Sequence, residues 1–389
     1  MALFTGAYNH IADGVSLTLN RLVAHLERQQ GTTVRVFAPT VDDPPVDHAG
    51  TLVPVPSMPV PGRAEYRLSL GLSDQAREKL ADFQPTLFHI ATPDLLGYQA
   101  LKQAKDWGVP VVASYHTHFS SYLKYYYLGA LEPALWAYLR RFYRDCQHVY
   151  VPSPSMAKVL RANGITDGLH LWERGVNTSH FTPEQRSMEW RRNMGIGDEE
   201  PVVTFVSRLV WEKGLDVFSD VIQRLEAAGI AHRSMVVGDG PARDELEEQL
   251  PNTLFTGYLE GEALARAYAS SDVFLFPSET ETFGNVTLEA MASGVPTVCA
   301  DATGSRTLVA DGETGLLAPA GAPDAFFDAV VQLLNDAPTR RAMGTAARQR
   351  ARHYEWDSVL ARMVDYYDEV LQDALAEGPV ADAPASTAA

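Results

Sequence analysis

Apolar positions along the chain follow two alternating patterns. Short β-branched or aromatic runs give way to longer stretches in which apolar residues recur every three to four positions, the mark of strands alternating with amphipathic helices. Residues 3–4 read as a short first strand. Residues 15–28 read as a helix whose apolar side carries Leu17, Leu19, Leu22, Val23 and Leu26. Further strands are predicted at 33–38, 87–90, 111–114 and 148–151, whereas residues 39–61, rich in proline and aspartate, read as irregular or edge structure.

A second series starts at 202–206 and continues at 234–237, 253–255, 273–276 and 297–300. Between the two series, residues 176–200 are polar and hold Pro183 and two glycines, the composition of a connection. The chain is therefore expected to form a first domain at 1–175, a connection at 176–194 and a second domain at 195–350. A helix at 351–377 and an Ala/Pro-rich tail at 378–389 without a periodic apolar face complete it. A length of 389 residues exceeds what one core serves. The fold class is α/β, each half an open parallel sheet with ligands beyond the carboxyl ends of its strands, which puts the site in a cleft between the halves.

With 46% apolar and 21% charged residues the chain is of ordinary globular composition. The formal net charge of −17 opposes nucleic-acid binding but leaves room for a nucleotide, which needs only a few local cations. No apolar run is long enough to span a bilayer, and the opening residues lack the pattern of a secretion signal. Cytoplasmic residence is expected, with contact at the inner face of the cytoplasmic membrane left open. Cys146 and Cys299 read as reduced packing residues.

The densest chemistry lies at 277–289, PSETETFGNVTLE, where a strand gives way to a helix and Glu281 and Glu289 flank Gly284. Asn285 or a threonine is expected to cap the helix start, whose free amides favour an anion. Glu289, one turn in, can accept hydroxyl donors. Upstream, SRLVWEKG at 207–214 sets Arg208 and Lys213 on one loop, able to close on a pyrophosphate or to stand as a basic pair on a solvated helix start. GDGP at 238–241 is a turn after a strand; Gly240 suits either close approach of a ligand or a plain strand-to-helix turn. It is not a phosphate-binding Walker loop.

In the first half, HIADGVS at 10–16 puts Gly14 at a helix start that either meets a phosphate or sugar oxygen or is merely an entry turn capped by Asp13. SYHTH at 114–118 carries two imidazoles at alternate positions. A metal there is disfavoured for lack of further ligands at useful spacing, and one histidine facing the cleft as a hydrogen-bond donor is preferred over it. Residues 121–143 are rich in tyrosine, tryptophan and phenylalanine interspersed with lysine and arginine; packing on the sheet is favoured over a membrane-interface role.

Taken in order, HIADGV, SYHTH, SRLVWEKG, GDGP and the two glutamates eight residues apart resemble the retaining glycosyltransferases of GT-B fold and family-4 type, over nearly all of residues 2–370. The resemblance implies two Rossmann-like domains and transfer of a sugar from a nucleotide diphosphate, with a UDP-sugar as the commonest expectation and GDP-mannose as the alternative. It implies Arg208 and Lys213 on the donor diphosphate, Glu289 on the ribose, and Glu281 on the transferred sugar. Phe283, Gly284, Asn285 and Val286 would lie nearby, with Gly238 and Gly240 along the donor. Gly257, Tyr258 and Leu259 would frame the base. Asp13, Gly14, His116 and Tyr122 would line the acceptor side, with Gly14 and His116 also approaching the donor. His116, Arg208, Lys213 and Glu281 would carry the catalysis, no metal or other cofactor would be required, and the acceptor would be a sugar or a membrane lipid. The final helix would cross back onto the first domain.

Two departures stand out: the first loop has a single glycine, with Asp13 before it, and few residues precede it, so that either the true start lies upstream of Met1 or the first strand is unusually small. Two rivals are a phosphorylase-like or hydrolytic enzyme of similar architecture, and a non-catalytic nucleotide-sugar or lipid-binding module. A hydrolase would also use paired carboxylates, but it has no diphosphate for the adjacent cations to neutralise.

Overall fold

A computed structural model of the chain describes residues 1–60, 63–116, 131–281 and 283–376, and the counts that follow are of these residues. Tyr122, most of the aromatic cluster at 121–130 and the tail at 378–389 lie outside them. The chain forms two compact units: Met1–Trp172 joined by the chain from Leu360 onward, and Glu173–Val359.

In the first unit the strands are β1 (Ala2–Phe4), β2 (Arg35–Ala38), β3 (Thr51–Pro54), β4 (Ser57–Val60), β5 (Arg63–Ser69), β6 (Phe88–Ile90), β7 (Val111–Ser114), β8 (His148–Val151) and β9 (Leu169–Leu171). In the second they are β10 (Val202–Val206), β11 (Arg233–Val237), β12 (Leu254–Gly257), β13 (Val273–Phe276), β14 (Thr297–Ala300) and β15 (Gly315–Ala318). The larger sheets run β3-β2-β1-β6-β7-β8-β9 and β12-β11-β10-β13-β14-β15, parallel throughout; β4 and β5 form a separate antiparallel hairpin. With strands numbered within each sheet, the second carries the 3-2-1-4-5-6 order of dinucleotide-binding domains and the first, the hairpin left out, carries the same order with a seventh strand, β9, at its edge, so each half is Rossmann-like.

The continuous apolar strands follow from that arrangement. A parallel sheet covered by helices on both faces buries every residue of its inner strands; the four residues of β13, VFLF, are all fully buried, as are those of β1. Phe205, Phe218 and Phe276 meet with ring centroids 5.2–5.5 Å apart in the second core. Each such side chain contributes roughly 1.5–3 kcal/mol by leaving water.

Departures from the sequence expectation lie at the edges. Residues 39–61, read as irregular or edge structure, do hold edge strand β3, and with it the first strand of the β4–β5 hairpin. β9 and β15, both outermost, were not foreseen, since an edge strand buries less and so carries a weaker apolar signal. The stretch 176–194, read as a connection, is built into the second unit. Within it Arg191, 1% exposed, donates to Ser270 O at 2.7 Å and to Asp272 Oδ2 at 3.1 Å, and Asp272 in turn accepts from the backbone of Val202.

The final helix, Trp356–Ala376, starts in the second unit and ends in the first. Tyr367 on it bonds His89 Nδ1 at 2.7 Å, and His89 Nε2 bonds Ser114 Oγ at 2.6 Å, a buried chain tying the helix to β6 and β7. Among the described residues no helix is long and apolar enough to cross a membrane.

Candidate active site

In the second sheet β10 is flanked by β11 on one side and β13 on the other, so the strand order reverses between β10 and β13. The connections leaving their carboxyl ends turn to opposite faces, and the crevice they open is where such sheets bind ligands. The loop after β10 carries Arg208 and Lys213; the loop after β13 carries Glu281.

Leu209 and Val210 are buried, and Arg208 beside them is exposed. The chain then forms a single turn, Trp211–Lys213, and reverses at Gly214 in the left-handed region, φ 77°. A side chain at Gly214 would meet the backbone of Pro277 at 2.8 Å, so the two loops lie in contact. This approach brings Lys213 Nζ to Glu281 Oε1 at 2.5 Å, with both side chains only 19% exposed. Two residues 68 apart in sequence thus form the half-buried ion pair at the centre of the candidate site.

The helix Asn285–Ala292 starts just beyond. Asn285 is not its cap: Gly284 occupies that position with φ 104° and ψ 62°, and the threonine ahead of it, Thr282, lies outside the described residues. Asn285 is already helical, and its side chain projects from the first turn. The start of this helix, four residues after Glu281 in sequence, carries backbone N–H groups of the kind that favour an anion.

Glu289, one turn on, accepts from Tyr268 Oη at 3.1 Å, and burial together with Glu289 holds the Tyr268 hydroxyl well above the usual phenol range, as the proton donor. Tyr268 was not singled out from sequence. Tyr268 lies on the buried side of the helix Gly261–Ala269, and its meeting with Glu289 is a matter of packing between helices.

Gly238 and Gly240 have a different explanation from close approach to a ligand. A side chain at Gly238, φ 135°, would collide with Ser207 O, and one at Gly240 would lie 2.8 Å from Leu209 N. Leu209 N donates to Asp239 O at 2.9 Å, so the turn after β11 is zipped to the loop after β10 and steadies Arg208. Gly257 also has positive φ, 73°, and its carbonyl accepts from Gly238 N at 2.9 Å. Tyr258 is 68% exposed, and Leu259 packs on the core. Phe283 is buried against Tyr354, and Val286 packs on the same core. A further residue passed over in the sequence is Gly304, after β14, where a side chain would meet Glu281 O and Phe283 O at 2.8 Å; it gives the Glu281 loop room to sit. The rule that function follows strand ends would have found it.

In the first unit, Asp13 caps the helix Gly14–Gln30, accepting from Val15 N at 3.0 Å and Ser16 N at 2.8 Å, while Ser16 Oγ accepts from Asp13 N. This is the entry turn of the plainer reading, and it commits one Asp13 oxygen to the helix. Gly14 is exposed at that helix start. His116, buried, meets Trp172 edge-on at 5.0 Å. Trp136, Phe142 and Tyr143 of the helix Glu132–Tyr143 lie in the core, as the packing reading of the aromatic segment requires. Cys146 and Cys299 are free thiols.

Comparisons with known proteins agree with this architecture. Residues 12–180 match the family described as Glycosyltransferase Family 4, and residues 200–336 match Glycosyl transferases group 1. The chain is 37% identical over 366 residues, 92% of its length and 94% of the relative's, to a GDP-mannose-dependent alpha-mannosyltransferase of Mycolicibacterium smegmatis. It is 36% identical over 344 residues, 86% of its length and 67% of the relative's, to the sulfoquinovosyl transferase SQD2 of Arabidopsis thaliana. Among solved structures, sucrose-phosphate synthase from Thermosynechococcus elongatus superposes with a TM-score of 0.79 at 20% identity, covering 96% of this chain and 99% of that one, a likeness of fold. The chain is a glycosyltransferase of GT-B fold and belongs to the group 1, family-4 glycosyltransferases.

Proposed function

We propose that the protein transfers mannose from GDP-mannose, with retention of configuration, to a hydroxyl of a sugar or glycolipid acceptor. The observation that carries the reading is the half-buried Lys213–Glu281 pair at the β10–β13 reversal of a chain that is 37% identical, over 92% of its length, to a GDP-mannose-dependent alpha-mannosyltransferase. Two further relatives of the same printed name, at 36% and 31% identity over 92% of the chain, favour GDP-mannose over the UDP-sugar expected from sequence.

In this reading Arg208 and Lys213 neutralise the diphosphate as the anomeric bond breaks and negative charge grows on the leaving group. Arginine offers a planar fork and lysine a movable charge. The amides at the start of the helix Asn285–Ala292 add fixed positive dipoles. With this charge in place, the reading calls for no metal at the donor. Lys213 also holds Glu281, whose carboxylate accepts hydroxyls of the donor sugar. Glu289, oriented by Tyr268, accepts the ribose hydroxyls, and Gly257, Tyr258 and Leu259 border the base. Asp13, Gly14 and His116 serve the acceptor side. The acceptor hydroxyl attacks from the face the diphosphate leaves, and a departing phosphate oxygen takes its proton.

Calorimetry with GDP, UDP and ADP, paired with turnover of GDP-mannose and UDP-glucose across a panel of sugar and glycolipid acceptors, tests the reading. GDP is expected to bind at least about tenfold more tightly than UDP, a difference of about 1.4 kcal/mol. Preference for UDP, or binding without turnover on any acceptor, overturns it.

A further inference from the structure

At the outer edge of the first sheet, Tyr150 of β8 pairs in register with His170 of β9. Alternation along the strands then puts His148, Tyr150 and His170 on one face. The imidazoles of His148 and His170 stack there with centroids 3.8 Å apart and planes inclined by 27°. The final helix covers this face: Tyr366 stacks on Tyr150 at 5.8 Å and meets His170 edge-on at 4.8 Å. Glu369 follows Tyr366 by three residues, on the same side of the helix. One ligand atom from each of His148, His170 and Glu369 can be chosen so that all three lie within 4.8 Å of one another.

Packing alone does not account for this group. His148 is 8% exposed, and its Nδ1 is buried with no hydrogen-bond partner among the described residues. An unsatisfied polar atom of this kind costs about 1–3 kcal/mol, which an apolar ring in the same place would avoid. A cation held between the two rings and the carboxylate would remove that cost.

We propose that His148, His170 and Glu369 bind a divalent transition-metal ion, zinc by its chemistry, which fastens the final helix to β8 and β9. Two imidazole nitrogens and a carboxylate are a zinc donor set; calcium and magnesium call for oxygen alone. Tetrahedral bonds of about 2.0–2.1 Å put donors roughly 3.4 Å apart, a contraction within reach of Glu369, whose side chain is exposed. Asp373, one turn further along the helix, can complete the set, or water can. The ion takes no part in sugar transfer; its role is to hold the returning helix.

The test uses the full chain, stripped with a chelator and dialysed, then titrated with zinc by calorimetry and with cobalt by visible absorption. One zinc per chain, tetrahedral cobalt bands and a rise in melting temperature with zinc are expected. Glu369→Gln and His170→Ala should each weaken zinc at least about tenfold and abolish the melting shift, with unchanged circular dichroism. Both sites reach solvent, so both variants should fold. Absence of saturable uptake at one equivalent, or equal affinity in the wild type and both variants, overturns the proposal.

Discussion

Lys213 and Glu281 are the residues on which the functional reading concentrates. Lys213→Ala is expected to lower kcat/KM for transfer by about 10²–10³, as for loss of one fixed charge that stabilises a leaving group. Glu281→Gln keeps the shape and loses the ion pair, and should lower activity while donor-nucleotide affinity measured by calorimetry changes less than in Lys213→Ala. At Gly238 the constraint is steric. Gly238→Ala would drive a methyl group into Ser207 O from a backbone with φ 135°, and should cost about 2–3 kcal/mol, read as a fall in the urea midpoint. Residue types in these loops were legible in the sequence because charged and glycine-rich segments follow apolar strands. What approaches the glycines was not, since the loop that fills the space beside Gly238 and Gly240 comes from another strand end.

At the scale of elements, the alternation of strand and helix was readable wherever strands are buried on both faces, as in β10 and β13. It failed where burial is one-sided: β9 carries His170 between two leucines, and its three residues are only partly buried. The helix Asn285–Ala292 starts from a left-handed glycine, Gly284, rather than from Asn285, a choice that composition does not reveal. The tie between β6 and the final helix is a pH-dependent element. Burial lowers the His89 pKa to about 3, against about 6.5 when unfolded. The folded state therefore resists protonation: stability is full above about pH 6.5 and falls as pH drops toward 3, by about 1.4 kcal/mol per unit. Between pH 7 and pH 5 the wild type should lose about 2 kcal/mol more than His89→Gln, which keeps polar contacts but does not titrate; urea denaturation at the two pH values measures it.

For the whole molecule, the division into units was half legible. The two series of strands announced two Rossmann-like sheets, but composition put the connection at 176–194, whereas that stretch buries Arg191 inside the second unit. A polar segment reads as a linker when its charges are taken to face water, and here one is paired with Asp272 in the interior. The second unit is continuous in sequence and the first is not. A fragment of residues 173–359 is expected to fold alone. Residues 1–172 alone should show weak hydrogen-exchange protection in β6 to β8, because Tyr366 and Tyr367, which meet Tyr150 and His89, are missing from their packing.

The return of the chain at Leu360 sets an order of events during synthesis. The ribosome completes β1 to β9 first, yet the piece that covers His89 and Tyr150 emerges only after the entire second unit. At about 5–20 residues per second that delay is roughly 10–40 s, during which the apolar seat of Tyr367 stands open to chaperones or to a neighbouring nascent chain.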